Sequence, residues 1–152
     1  MFGFLNKTQV RYVDPQVQDE FVQKVSAAAD DFLRAIEPAE RVACDFSSGS
    51  VIRLDAVAAR VREGALALTP LQRVGMAAYL YEVARRHHGG IYEVCDDDDP
   101  VVLVTGDPQC EICLCAISRV ERNLAGVQPE PLSDLYARYV DAVQADRPEL
   151  VR

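Results

Sequence analysis

Thr69-Pro-Leu-Gln-Arg-Val-Gly-Met-Ala-Ala-Tyr-Leu-Tyr-Glu-Val-Ala-Arg-Arg-His-His-Gly-Gly90 carries both a helix start signal and a helix stop signal. Thr69 and Gln72 stand three apart as a capping box, and Pro70 occupies the first helical position, where its missing N–H costs nothing. At the far end Arg85, Arg86, His87 and His88 place cations against the negative end of the helix dipole, and Gly89 suits a left-handed C-terminal residue. From Val74 to Ala84 apolar residues occupy most of the circumference, the pattern of a helix covered by neighbours. This segment is therefore the expected centre of the core.

Upstream, Asp14-Pro15 opens a helix whose apolar residues Val17, Phe21, Val25, Ala28, Phe32 and Ile36 share one face, with Pro38 closing it. A shorter helix is expected from Ser48 or Ser50 to Gly64, with Val51, Leu54, Ala58 and Val61 on one stripe. Downstream of Gly90 the period becomes strand-like. Ile91–Cys95, Val101–Val104 and Cys110–Ile117 are separated by Asp96-Asp97-Asp98-Asp99-Pro100 and Thr105-Gly106-Asp107-Pro108, which reads as a three-stranded antiparallel meander. Residues 119–125 could continue the last strand, but the helical spacing of Ile117, Val120 and Leu124 favours a short helix ending at Gly126, and Leu132, Leu135, Tyr136, Tyr139 and Val143 form the inner face of a closing amphipathic helix. The expected architecture is α+β: N-terminal helices on a small meander, with a C-terminal helix. Residues 1–13 read as an arm, 14–145 as one domain and 146–152 as a tail.

The chain has 152 residues, 49% of them hydrophobic, enough to bury a core without metal or disulfide support. Its formal charge of −8 disfavours nucleic acid and anionic lipid and favours cationic partners. No run approaches the roughly 18 apolar residues of a spanning helix, so no membrane is expected and a cytoplasmic location is. The odd count of five cysteines argues against an exported disulfide framework.

Cys110, Cys113 and Cys115, with His87, His88 and Cys95, are the residues from which a zinc site or a thiol-based enzyme or sensor would be built. Strand alternation instead puts Cys113 and Cys115 on one face and Ile112 and Leu114 on the other, and no paired metal knuckles are present. The expectation is no cofactor and no catalytic residue. Four consecutive aspartates repel one another and should stay in water unless a cation or basic partner neutralises them. Asp96, Asp97, Asp98 and Asp99, with Tyr92 and Glu93, are accordingly the candidate contact surface for a protein partner. A structural subunit, including a homodimer built on the tyrosines of the last helix, is a third reading.

Asp45-Phe-Ser47-Ser-Gly-Ser50-Val-Ile-Arg53-Leu54-Asp55, then Gly75-x-x-x-Tyr79-x-x-Glu82-Val83, then Gly89-Gly90-Ile91-Tyr92 resemble a bacterial family of domains of unknown function over the middle of the chain. The family has an Asp/Ser segment leading to Leu-Asp, a glycine-tyrosine-glutamate helix and a Gly-Gly-aromatic strand. This chain departs from it at Tyr81, where glycine is usual, and at Tyr92, where tryptophan is. The resemblance implies a small cytoplasmic protein without catalysis. Domains of this size and acidity also resemble immunity proteins encoded beside interbacterial toxins, which implies a basic toxin domain as partner. Within the resembling segment, Asp45 and the serines are expected to cap the second helix, Asp55 to lie in its first turn, and Glu82 to pair with Arg85 or Arg86.

Overall fold

A computed structural model describes residues 14–95, 97–127 and 130–152. Among them run six α-helices and four strands: α1 Pro15–Ala35, α2 Pro38–Ala43, a 3₁₀ turn Ser48–Ser50, α3 Val51–Arg62, α4 Pro70–His88, β1 Ile91–Val94, β2 Val101–Thr105, β3 Ile112–Leu114, α5 Ile117–Leu124, α6 Leu132–Gln144 and β4 Glu149–Val151. The α+β class expected from the pattern is the one observed. The expected arm, 1–13, lies outside the described residues.

Helix α4 is the centre of the molecule, with Gly75–Ala84 buried throughout. Its capping box forms reciprocally: the Gln72 amide N–H donates to Thr69 Oγ1 at 3.2 Å, and the Thr69 N–H to Gln72 Oε1 at 2.9 Å. At its other end Gly89 takes φ 72°, a conformation open to glycine and costly to most other residues. Gly75 lets α1 approach closely, because a Cβ there would fall on the Ala28 carbonyl and within 2.8 Å of Phe32 Cβ. Tyr81 then ties α4 to the sheet, its hydroxyl donating to the Val101 carbonyl at 2.7 Å and accepting from the Ala116 N–H at 2.9 Å.

The sheet departs from the three-stranded meander. Its order is β1-β2-β3-β4, with β1–β2 and β2–β3 antiparallel and β4 parallel to β3. The supposed tail, 146–152, thus contains a strand. An open β3 edge leaves backbone groups unpaired, and β4 satisfies them, with the Cys115 N–H donating to the Val151 carbonyl at 2.8 Å. The parallel pairing needs a long crossover, which α5 and α6 supply. One sheet face sends Tyr92, Leu103, Ile112, Leu114 and Val151 into the main core, and the other gathers Val102, Val104, Cys113 and Cys115.

Several boundaries move for local reasons. Pro38 opens α2 at its first helical position rather than merely closing α1. The expected strand from Cys110 to Ile117 shortens to Ile112–Leu114 because α5 begins at Ile117. There Asp99 accepts from the Ser118 N–H at 2.8 Å and from Ser118 Oγ at 2.6 Å, satisfying a helix-start donor from outside the helix. Tyr136 and Tyr139 are buried in the core, so the last helix does not offer its tyrosines to a second copy.

Candidate functional site

The proposed contact residues divide between surface and interior. Asp99 is 0% exposed and Tyr92 1%, which removes both from any contact surface. Asp99 caps α5, and Tyr92 points into the core because Leu103, its register partner, faces that way. Asp97 and Asp98 are exposed, Glu93 is half-buried and Asp96 lies outside the described residues. Asp97 Oδ1 accepts from the Asp99 N–H at 2.7 Å, and Asp97 Oδ2 lies 3.2 Å from Arg152. The same guanidinium stands 3.7 Å from Asp99. Two carboxylates, Asp97 and Asp99, thus share one arginine, and with Asp98 the turn keeps a net negative charge.

Glu82 and Tyr92 of the resembling segment meet in a buried polar centre. This carboxylate accepts from Arg85 Nε at 2.7 Å and Nη2 at 3.0 Å, Arg86 Nε at 3.3 Å, Tyr92 Oη at 2.7 Å and Ser26 Oγ at 2.7 Å. Burial pushes its pKa upward, but the hydrogen bonds from Arg85, Tyr92 and Ser26, with the charge of Arg85, prevail and hold it at about 2. The Tyr92 hydroxyl is pushed up by burial and by the anionic Glu82 to which it donates. An ionised, fully partnered carboxylate has no proton to exchange near neutrality, so the cluster fastens α1, α4 and β1 together. The expected Glu82 pairing with Arg85 and Arg86 is present.

The other residues of that segment take roles different from those expected. Asp45 accepts from the Ser47 N–H at 3.0 Å in a turn, and neither Ser48 nor Ser50 caps α3 with its side chain. Phe46 adopts φ 62°. Its N–H donates to Tyr79 Oη at 3.0 Å, its carbonyl accepts from His87 Nε2 at 3.1 Å, and Arg86 stacks 3.8 Å over its ring. Asp55 lies beyond the first turn of α3 and reaches α6, accepting from the Ser133 N–H at 3.2 Å and from its hydroxyl. It caps a helix remote in sequence, because Ser133 presents one of the unpaired N–H groups of the α6 start.

The cysteine and histidine candidates are not gathered into one site. Cys113 and Cys115 do share a strand face, with their sulfurs 3.8 Å apart, as alternation implied. Cys110 instead bonds the Asp146 carbonyl, and His87 belongs to the Phe46 turn. Donation to Cys115 and burial push the Cys113 thiol up; Cys115 is drawn down by that contact and by Arg152. Among the described residues no group of three His, Cys, Asp or Glu side chains is placed to hold a metal ion.

An apolar groove of about 180 Å³ opens over α4. Phe21, Lys24, Val25 and Ala28 of α1 form one wall, Val74, Ala78 and Tyr81 of α4 the floor, and Val101 and Ile117 the other wall. In sequence, Val101 follows Asp99-Pro100 and Ile117 precedes the Ser118 that holds buried Asp99, whereas exposed Asp97 turns to Arg152, which reaches Cys115 on the other sheet face. Sequence periodicity assigned Phe21, Val25, Ala28 and Val74 to buried faces. That these faces leave a gap depends on how α1, α4, β2 and α5 pack together, which no single element encodes. Val94, paired with Val101, adds an exposed apolar residue nearby.

Comparison with protein-family models, curated proteins and solved structures finds no match. The family resemblance therefore rests on the residues quoted for it. No helix among the described residues is long and apolar enough to cross a membrane.

Proposed function

We propose that this chain is a non-enzymatic, acidic protein-binding domain, most specifically a cytoplasmic immunity protein that binds and neutralises a secreted bacterial toxin. The observation that carries the reading is the exposed, net-negative turn at Asp97 and Asp98, on a chain that also has an apolar groove over α4. Protein interfaces draw their affinity from a few apolar anchors in desolvated pockets and much of their specificity and encounter rate from surrounding charge. An acidic surface suits a toxin whose working surface is basic because it handles phosphate or nucleic acid. Glu82, the strongly shifted carboxylate of the molecule, is ionised and fully engaged, which favours binding over proton-transfer chemistry.

The test is co-expression with the product of the reading frame beside this gene. Growth inhibition by that product, relieved by this chain and relieved less by a D97N/D98N variant, is the expected result. A growth-inhibitory neighbour that this chain neither binds nor relieves would overturn the immunity reading.

A further inference from the structure

We infer that the groove over α4 is a binding site for a small monocarboxylate whose apolar body is one ring or one branched chain, with Lys24 as its counter-ion. This goes beyond the protein-binding reading and does not depend on it. Size sets the first limit. An apolar cavity of about 150 Å³ accepts benzene, so about 180 Å³ holds one ring or one branched aliphatic group and little more. The lining sets the second, because eight of its nine residues are apolar or aromatic. The one hydroxyl among them, on Tyr81, already donates to the Val101 carbonyl and accepts from the Ala116 N–H. A polar group drawn inside would lose its hydration without replacement bonds, so the charged end of the ligand stays at the mouth.

Lys24 chooses the sign of that end. It is the one charged residue of the lining, three residues after Phe21 and four before Ala28 on the same face of α1. It is exposed, and a lysine beside apolar surface lays its methylene stem along the wall while its ammonium stays in water. Among the described residues no group, Glu20 one turn earlier on α1 included, hydrogen-bonds or ion-pairs with it. The formal charge of −8 opposes anions at long range, but screening over about 8 Å at physiological ionic strength leaves the nearest charge to decide, and no carboxylate lines the groove. A monoanion meets the long-range repulsion once, whereas an acidic protein segment meets it at every carboxylate, which favours a small acid as the occupant.

The experiment titrates the ¹⁵N-labelled full chain with phenylpropionate, phenylpropanol and phenylpropylamine, which share one apolar body, and with acetate, which lacks it. Phenylpropionate should shift the amides of Lys24, Val74, Ala78, Val101 and Ile117 and bind about two- to fivefold more tightly than the alcohol, the range of an exposed ion pair. The amine should bind most weakly of the three, and acetate should leave the groove amides unmoved. Lys24→Gln, at an exposed position, should equalise acid and alcohol without changing the alcohol's affinity, and Lys24→Arg should keep the acid's advantage. Equal affinity of acid and alcohol for the native chain, or an amine that binds as tightly as the acid, would overturn the inference by removing Lys24 from it. No groove shifts with any of the three would overturn the site itself. Tighter binding of a capped dipeptide ending in a phenylalanine carboxylate would make a partner's C-terminus the occupant, and groove shifts that grow with protein concentration alone would make it a second copy; either result overturns the small acid.

Discussion

Replacing Glu82 by glutamine keeps its shape and removes its charge from a fully buried position ringed by Arg85, Arg86, Tyr92 and Ser26. The folded-state pKa of about 2, against an ordinary 4.5, corresponds to about 3 kcal/mol of stability at neutral pH, at about 1.4 kcal/mol per pH unit. A depressed carboxylate contributes stability that is present above its unfolded pKa and lost as pH falls through its folded pKa. The deficit of Glu82→Gln should therefore be about 3 kcal/mol at pH 7, begin to shrink near pH 4.5 and nearly vanish around pH 2. Urea unfolding followed by circular dichroism from pH 7 to pH 2 on both proteins measures it, and carboxylates that behave alike in the two proteins cancel in the difference. A deficit that stays constant with pH would show that shape rather than charge is at stake, and no deficit at pH 7 would refute the argument.

Three further outcomes follow from the packing. Gly75→Ala should destabilise by about 1–3 kcal/mol in the same assay despite better helix propensity, because its Cβ meets Ala28 and Phe32. Asp99→Asn should cost about 1–3 kcal/mol through its lost capping of Ser118, whereas Asp98→Asn should change stability by less than about 0.5 kcal/mol; equal effects would contradict their different burial. Asp55→Ala should cost about 1 kcal/mol, and hydrogen exchange should quicken at the start of α6 rather than α3.

What the sequence reveals about this fold depends on how local the determining interactions are. The Thr69–Gln72 box, the all-round apolar α4 and the Gly89 stop are complete within about twenty residues, and each appears where the pattern places it. The pairing of Glu82 with Arg85 and Arg86 is legible for the same reason, at three and four residues along one helix. β4 is not, because Glu149-Leu-Val is too short to alternate clearly and is a strand only because β3 has an open edge. Asp99 illustrates the limit at the candidate site. Four like residues invite one reading, yet one of them is buried beneath α5 because Ser118, nineteen residues later, needs an acceptor. The groove was equally hidden, since residues of α1, α4, β2 and α5 line it together.

A role for the exposed turn at Asp97 and Asp98 as a surface for a basic partner can be measured as the salt dependence of affinity for a capped tetralysine peptide, by calorimetry on the native chain and a D97N/D98N variant. That role requires affinity that falls several-fold as ionic strength rises from about 0.02 M to 0.2 M, and a variant that binds more weakly with a shallower salt dependence. A variant that binds as tightly as the native chain, with the same salt dependence, would contradict it.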